Sequence, residues 1–562
     1  MRTMARRRVW TVAVALMVAS LMVAACADDD DEGDQPATPG QGATSTTVPS
    51  VATLRFAVST NERNITPFTQ GTGYPGYYMM TLMYDTLLWL DPQGVPQPWL
   101  AREFQTSNGG RTWTLKLQEA VTWHDGRALS AADVKFSFEY IRDSQRPRWL
   151  PNLRPITSIE TPDPLTVVLT LSEPKASFAL NPLADLPIIP QHIWSGITNP
   201  LEVTAELPGG ALPIGSGPYR LVEFRENQVW RFQANPNYFK GRPIVNEIVM
   251  PYIADRQAAF TALQGGQVDV TAATLTPELK ATFNQGGLKT AGGAGLRGWY
   301  VYINNERAPF DRKEVRQAVA LAIDFNDIVR TVLLGAGAAG SPGFVHRSVA
   351  WSNPARRDFR PDQNRARTLL DGAGIRDTNN DGVRELNGQP VEVPLILRND
   401  DAQAVRAAEL IAQSVSQIGI KVTATPLDPT TGGSRIWPDY QIGQTPRGDY
   451  TIALHSWAAT VQQDPEFLRS LFHSEPAVGT LNRAAYKNPQ YDTLADEQSR
   501  TTDTAQRNRI LGQMQDILAD DLPAIALYYP DDIFPYRPGT FDGWVYYPGT
   551  GILNKATLIA PK

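Results

Sequence analysis

The stretch Leu117–Ser137 decides the fold of this 562-residue chain, and its sequence is LQEAVTWHDGRALSAADVKFS. Asp125-Gly126 predicts a tight turn, because glycine tolerates the backbone angles that such turns require. Ser130 is a suitable N-cap for a helix over 131–142, with Asp133 at the third helical position. The apolar side chains of this helix act as packing anchors. The stretch therefore predicts local structure, a turn and a capped helix, and no ligand site.

Strand and helix patterns continue on both sides of this stretch. In the second half, an apolar strand over 391–397, a helix over 402–418 and a strand over 420–424 follow one another, which favours a parallel α/β sheet. A body of this length exceeds one hydrophobic core, so we expect two or more domains. Other runs predict strands at 54–58, 112–117, 166–171, 219–224, 229–234, 247–252 and 450–455.

An ordered series of blocks, with Leu117–Ser137 among them, closely resembles a known family. The family is the family 5 extracellular solute-binding proteins, the oligopeptide, dipeptide and nickel binders of ABC importers. The other blocks are Tyr84–Leu88, Pro98–Ala101, Ile188–Trp194, Gly215–Leu221, Asn235–Phe239, Leu263–Asp269, Pro309-Phe310, Val315–Ala318 and Ala322–Asp324.

The resemblance implies an α/β protein of two lobes, the periplasmic-binding-protein type II (cluster C) fold, with an inserted subdomain in the first lobe. We expect lobe I over 51–298, with the insertion at about 91–209, and lobe II over 299–523. Residues 524–562 would then return to lobe I. The expected crossing strands are Trp299–Ile303 and Ile525–Tyr529, and a solute between the lobes supplies the contact that closes them.

The resemblance also indicates where a ligand binds. In peptide-binding members, an aspartate shortly after a Gly-Trp or Ser-Trp strand end pairs with the α-amino group of the ligand. Here Thr460 stands at that position after Trp457, so peptide is one candidate solute among several. Trp457 itself either stacks on a ligand or packs in the core, and Asp464 is either a ligand contact or part of a structural Asp-Pro element. Three further candidates border the cleft in relatives, with surface or packing roles as the alternative: Asn61, Tyr74 and Tyr77.

The N-terminus resembles the leader of a bacterial lipoprotein. Arginines precede an apolar run over 9–25, which is shorter than the ~20 residues that span a bilayer. Small residues then lead to Cys26, the sole cysteine. We expect a signal peptide over 1–25 and a lipid on Cys26 that anchors the protein to the outer face of the membrane, with an unmodified cysteine after an ordinary signal peptide as the alternative. The acidic and Pro/Gly/Ser/Thr-rich segment 26–50 is expected to be a flexible tether.

The composition excludes several other classes of function. The net charge of −6 gives no basic excess for nucleic acid. None of the five histidines lies in a recognised catalytic or zinc motif. We therefore expect no catalytic residue, no cofactor and no metal site, and we take a monomer as the default.

Two stretches match known ligand-binding motifs, and both have simpler structural explanations. Gly71–Gly76 fits Gly-x-Gly-x-x-Gly, but no strand leads into it, so we interpret it as an aromatic loop. Asp377–Gly382 places oxygen ligands at alternate positions before a glycine, as at the start of a calcium loop. Its twelfth position is Gly388 rather than glutamate. We favour tight hairpin turns at Asp381-Gly382 and Asn387-Gly388 over a calcium site.

These observations predict a lipoprotein that captures a small solute, oligopeptide being one candidate, and delivers it to the permease of an ABC importer. A sensor or scaffold of the same fold, with no permease partner, is the first alternative. An extracellular hydrolase is the second and less favoured alternative.

Overall fold

The computed structural model describes residues 50–559 apart from 62, 64, 70–74, 145–148, 354, 356–359, 439–446 and 459–462. Cys26, Tyr74 and Thr460 lie outside these described residues, so the hypotheses about them stay predictions. The part from Val48 to Lys562 forms one compact unit. Among the helices of the described residues, none combines the length and the apolar composition that crossing a bilayer requires.

Helices and strands are numbered in chain order. The first half contains β1 (Val51–Ala57), α1 (Pro75–Met83), β2 (Leu88–Leu90), β3 (Pro96–Pro98), β4 (Ala101–Ser107), β5 (Thr112–Leu117), α2 (Ala131–Asp143), α3 (Leu150–Leu153), β6 (Ile156–Asp163), β7 (Thr166–Leu171), α4 (Gln191–Trp194), β8 (Tyr219–Arg225), β9 (Val229–Ala234), β10 (Val245–Pro251), α5 (Arg256–Gln264), β11 (Val270–Thr271), α6 (Pro277–Gln285) and β12 (Lys289–Gly293). The second half contains β13 (Gly298–Ile303), α7 (Lys313–Ala322), α8 (Phe325–Val332), β14 (Gly337–Ala339), α9 (Gln363–Gly372), β15 (Glu385–Leu386), β16 (Gln389–Pro390), β17 (Glu392–Arg398), α10 (Ala402–Ser416), β18 (Lys421–Leu427), α11 (Pro429–Ile436), β19 (Ile452–Trp457), α12 (Glu466–Phe472), α13 (Pro489–Arg500), α14 (Thr504–Asp521), β20 (Ala524–Pro530) and β21 (Asp532–Tyr536).

Lobe I is built around a seven-stranded sheet with the order β12-β21-β11-β1-β10-β9-β8. β1 lies inside this sheet, parallel to β10 and to β11. β21, which follows lobe II in the chain, pairs antiparallel with β12. The chain therefore leaves lobe I after β12 and returns to it at β21, so both parts of the chain share one sheet.

A second, antiparallel sheet with the order β4-β5-β7-β6 belongs to the same hydrophobic core. The predicted turn and capped helix are present beside it: Gly126 has φ +88°, and the backbone amide of Ser130 donates to Asp133 at the start of α2. His124 Nε2 lies 3.0 Å from the carbonyl oxygen of Gly217, and its Nδ1 accepts the amide of Gly215. Leu117–Ser137 is thus a structural element, as predicted, and it holds a distant loop in place.

Lobe II is built around a six-stranded sheet with the order β14-β20-β13-β19-β17-β18. β17 is parallel to β18 and β19, as the strand-helix-strand pattern predicts. β13 is antiparallel to both β19 and β20, so the expectation of a fully parallel sheet was wrong. The physical reason is the crossing: β13 enters the lobe and β20 leaves it, and two adjacent strands with those roles run in opposite directions.

A fully buried ion pair joins distant parts of lobe I. Lys555 Nζ lies 2.7 Å from Asp85 Oδ1, and neither side chain is exposed to solvent. Burial lowers the pKa of Lys555, and Asp85 opposes that effect. The ammonium group also lies 4.5 Å from the centroid of the Trp89 ring. Three more side chains donate hydrogen bonds of 2.8–2.9 Å to the same carboxylate, those of Trp99, Ser216 and Tyr238.

We predict that Lys555→Ala lowers the free energy of unfolding by about 3–5 kcal/mol, because it leaves the Asp85 carboxylate buried without a cation. Guanidinium titration followed by circular dichroism measures the loss. Lys421→Ala is a matched control: Lys421 Nζ lies 2.8 Å from Glu392, but both side chains are about half exposed. That change is expected to cost at most about 1 kcal/mol, and a Lys555→Ala loss no larger than the control's would contradict the prediction.

Candidate functional site

Two chain segments connect the lobes, and they lie against each other. Residues 294–297 connect β12 to β13, and Asp531 connects β20 to β21. A Cβ atom on Gly292 would lie 1.9 Å from the carbonyl oxygen of Asp532, and one on Gly295 would lie 2.1 Å from that of Pro530. A larger residue at either position would force the two segments apart. The glycines therefore permit the close approach of the two segments.

A buried carboxylate marks the lobe I side of this crossing. The Tyr546 hydroxyl donates to Asp532 Oδ2 over 2.8 Å and lies 3.2 Å from the carbonyl oxygen of Ala294 in the other segment. Burial raises the pKa of Asp532, while the hydrogen bond from Tyr546 and the charge of Arg297 oppose that rise. Arg297 also donates to Ser456 Oγ over 3.2 Å. Polar groups thus connect the two crossing segments to each other through Tyr546, and the first of them to β19 through Arg297.

An aromatic cluster lies on lobe II beside the crossing and consists of Tyr302, Trp437, His455 and Trp457. Trp457 pairs with Gly298, the first residue of β13, which places it next to the crossing segment. Its indole N–H donates to the Tyr302 hydroxyl. The Trp437 ring stacks on His455 with centroids 5.3 Å apart and meets Trp457 edge-on at 4.5 Å. Trp457 is therefore half-buried, held by packing, and still partly open to a ligand.

Positive charge surrounds the aromatic cluster. The guanidinium of Arg483 lies 4.4 Å from the centroid of the Trp437 ring, within cation–π range. Burial and, to a smaller extent, the charges of Arg398, Arg297 and Arg483 together lower the pKa of His455 to about 4. His455 is thus a neutral ring at physiological pH. Arg483 is buried and donates to the carbonyl oxygens of Thr480 and Pro438, and Arg398 pairs with Asp400. The cluster therefore offers aromatic faces to a solute, with the exposed Arg297 as the neighbouring guanidinium group.

Asp464 lies where the two lobes touch. Lys175, in the segment after β7, lies 3.5 Å from Glu466 at the start of α12. Nearby, the amide of Ala176 donates to the carbonyl oxygen of Ser499 over 2.9 Å. Burial raises the pKa of Asp464 to about 6, with Glu466 adding to the rise and Arg507 and Lys175 opposing it. Its Oδ1 accepts the Glu466 amide over 3.0 Å, which fits the structural alternative.

The structure places the other described candidates apart from the aromatic cluster. Asn61 Oδ1 accepts the backbone amide of Asn227, in the turn between β8 and β9, over 3.0 Å. The Tyr77 hydroxyl lies 3.4 Å from Asp185, and its ring meets Tyr78 edge-on at 6.0 Å. These contacts give Asn61 and Tyr77 local structural partners. Their role as ligand contacts stays a prediction.

Sequence reasoning missed most of the aromatic cluster. His455 precedes Trp457 by two residues on one strand, so strand periodicity places both side chains on the same face. This periodicity is the signal in the sequence that links His455 to Trp457. Trp437 and Tyr302 come from other segments, and only the cross-strand pairing of β13 with β19 brings Tyr302 close.

Two sheets joined by two chain crossings define a class, the two-lobed solute-binding proteins. The family model described as "Bacterial extracellular solute-binding proteins, family 5 Middle" matches residues 95–478. The chain therefore belongs to the family 5 bacterial extracellular solute-binding proteins, as the resemblance implied. It is a substrate-binding protein of the ABC-importer type, a class of binding proteins rather than enzymes.

Individual relatives agree with this assignment. The chain is 27% identical over 462 residues to the oligopeptide-binding protein AppA of Bacillus subtilis, which covers 81% of this chain and 82% of the relative. It is 26% identical over 475 residues to heme-binding protein A of Haemophilus influenzae, covering 80% and 82%. The crystal structure of the ABC transporter substrate-binding protein CtaP from Listeria monocytogenes superposes with a TM-score of 0.78 at 23% identity, covering 91% and 100%. The last match supports the two-lobed fold.

We predict that His455 makes the protein less stable as the pH falls from about 6.5 towards 4. The unfolded chain binds a proton at the ordinary histidine pKa near 6.5, whereas folded His455 does so only near its pKa of about 4. His455→Phe keeps a ring against Trp437 and removes this titration. Its melting temperature should therefore fall less than that of the wild type between pH 7 and pH 5.

Trp457→Phe is the matched control, because it changes the same aromatic cluster without changing a titrating group. It should keep the wild-type pH dependence. Equal slopes for the wild type and His455→Phe would show that His455 is not held neutral by the fold.

Proposed function

We propose that the protein captures a small solute between its lobes, beside the aromatic cluster, and delivers it to the permease of an ABC importer. The observation that carries the proposal is the position of Trp457, paired with Gly298 at the first residue of the crossing strand. A solute that contacts this ring lies next to the hinge, where it adds contacts between the lobes. Such a solute favours the closed state by its differential affinity for that state.

The sequence predicts lobe I over 51–298 with an insertion at about 91–209, lobe II over 299–523 and a return over 524–562. The connection at 294–297 supports the boundary near 298. β20 pairs with β13 and β14 in the lobe II sheet, which supports a return to lobe I that begins at 531 rather than at 524. The separate sheet of β4 to β7 supports the insertion. We take the protein to act as a monomer and to release its solute chemically unchanged.

The proposed solute carries a planar or an anionic group. Ring faces and guanidinium groups favour such groups by stacking and by charge-assisted hydrogen bonds. The relatives above bind solutes as different as oligopeptides and heme. Oligopeptide stays a candidate for this chain, and Thr460, in place of an aspartate, favours solutes that do not depend on a free α-amino group.

The first experiment identifies the solute. Protein purified from its host is analysed by native mass spectrometry, and protein without its leader is screened by thermal shift against oligopeptides, heme and metal chelates. We expect a bound or stabilising solute, because a ligand that binds only the folded state raises the melting temperature. The mass of the recovered solute should be unchanged after incubation. No retained solute and no thermal shift across the panel would contradict the proposal.

We predict that Trp457→Phe weakens binding of that solute by roughly three- to tenfold, because the smaller ring gives up about 1 kcal/mol of aromatic contact. Isothermal titration calorimetry measures the change. Trp544→Phe is the matched control, since Trp544 packs against Phe56, Tyr536 and Phe541 in lobe I. It should leave the affinity within about twofold. Equal effects of the two changes would remove Trp457 from the binding site.

We further propose that a lipid on Cys26 anchors the protein to the outer face of the cell membrane. The support is sequence alone: an apolar leader ending in small residues, the sole thiol, and an acidic tether after it. We predict that Cys26→Ser abolishes incorporation of an alkyne-labelled fatty acid and releases the protein from the membrane fraction. Ser20→Ala, a change inside the leader, should keep both. Membrane retention of unlabelled Cys26→Ser protein would contradict the anchor.

A further inference from the structure

Three carboxylates converge in a loop of lobe II, far along the chain from the aromatic cluster. One oxygen each from Asp377, Asp381 and Glu385 lies within 4.8 Å of the others. Within the described residues, none of the three forms an ion pair with a lysine, an arginine or a histidine. The two arginines nearest in sequence are engaged elsewhere: Arg384 contacts Asp371 and the carbonyl oxygens of 375 and 418, and Arg376 donates to the carbonyl oxygen of Asp371. Negative charge therefore accumulates here without a cation from these neighbours.

Glu385 supplies the independent observation that points to a ligand. The residue is only 8% exposed, although glutamate is rarely buried unless it is paired. Its Oε2 accepts hydrogen bonds from the amide and the hydroxyl of Thr378, at 2.8 and 3.0 Å. Its Oε1 is buried and has no hydrogen-bond partner among the described residues. A buried carboxylate oxygen without a donor is costly unless a cation occupies the position beside it.

Backbone amides of the loop hold two of its carboxylates in place by hydrogen bonds. The amides of Asn380 and Gly382 donate to the two oxygens of Asp377, at 2.7 and 3.0 Å, and the amide of Val383 donates to Asp381 at 2.8 Å. Asn380 and Gly382 have φ of +63° and +90°, angles that asparagine and glycine adopt most readily. The carboxylates are thus positioned by the fold rather than brought together by a bound ion.

We propose that Asp377, Asp381 and Glu385 form a calcium site. All three donors are hard oxygens, which calcium prefers. Asn379 is not one of the proposed ligands, because its Oδ1 accepts the Asp381 amide and its Nδ2 donates to Asp381 Oδ2. Histidine and cysteine, which favour transition metals, are absent from this cluster. The proposed terminal carboxylate is Glu385, at the ninth position of the loop, whereas known calcium loops carry a bidentate glutamate at the twelfth.

The hairpin turn expected here is real and lies beside the site. β15 pairs with β16 through the two-residue turn Asn387-Gly388, whose φ values are both positive, as predicted. Asp381-Gly382 lies in the loop between Arg376 and Glu385, which an antiparallel bridge between these two residues closes, and this loop is the proposed calcium loop. Glu385 opens β15, and its amide donates to the carbonyl oxygen of Arg376. Calcium would therefore fasten the segment after α9 to the hairpin that leads into β17.

Calcium binding is tested on the protein without its leader, treated with EDTA and then desalted. Isothermal titration with calcium chloride should give one site with a dissociation constant of about 10⁻⁴–10⁻³ M, the range of extracellular calcium modules. Five millimolar calcium should raise the melting temperature more than the same concentration of magnesium. No heat and no calcium-dependent shift would overturn the proposal, and so would an equal response to magnesium.

Two variants assign the site. Asp381→Asn removes an exposed charge and should weaken calcium binding by roughly tenfold or more. Glu385→Gln fills the same space, and its calcium response should be lost even if its stability in EDTA is unchanged. Glu409→Gln, which removes an exposed acid that pairs with Arg406 on α10, is the matched control and should bind calcium like the wild type. Calcium binding that survives both site variants would overturn the assignment.

Discussion

The buried ion pair between Asp85 and Lys555 is the interaction on which lobe I depends. A charge taken out of water is tolerated only when a counter-charge and hydrogen bonds replace its hydration. Asp85 receives such bonds from Trp99, Ser216 and Tyr238, and its main-chain oxygen accepts the amide of Ile188. The pair therefore does more than bring two charges together, because it fixes how segments from across the chain pack on the end of α1.

This convergence gives the family resemblance a physical meaning. Asp85, Trp99, Ser216 and Tyr238 lie in four different blocks of the ordered series, and a fifth block, Ile188–Trp194, contributes a backbone amide. Each block alone encodes only a turn or a strand end. Together the blocks supply the hydrogen-bond donors that stabilise the buried Asp85 carboxylate, so the loss of a donor from any block leaves this carboxylate with an unsatisfied hydrogen bond.

How much the sequence could predict depended on how local the physical cause was. The turn at Gly126, the capped helix α2 and the strand-helix-strand unit around α10 follow from patterns within about twenty residues, and all were predicted correctly. The burial of Lys555 and its pairing with Asp85 could not be predicted, because the two residues lie 470 positions apart and a single lysine near the C-terminus forms no sequence pattern. The antiparallel entry of β13 was missed for the same reason.

Trp457 was found through resemblance, whereas Trp437 and Tyr302 reach it only through tertiary packing. The role proposed for Glu385 has no sequence signal, because this residue stands at the ninth position of the loop and known calcium loops carry their glutamate at the twelfth.

The position of Lys555 also limits where the molecule can bend. The chain returns from lobe II at β21, joins the lobe I sheet between β12 and β11, and ends with Lys555 inside the core. Both crossing segments are therefore fixed at their lobe I ends by paired strands and at their lobe II ends by β13 and β20. The short stretch between these fixed points contains Gly295, against which Pro530 lies too closely for any side chain. We propose that a rotation of the lobes is absorbed there, beside Trp457 on the adjoining strand end. The buried charge in lobe I and the proposed solute site beside the crossing segments thus follow from one arrangement. In this arrangement the chain leaves lobe I after β12 and returns to it at β21.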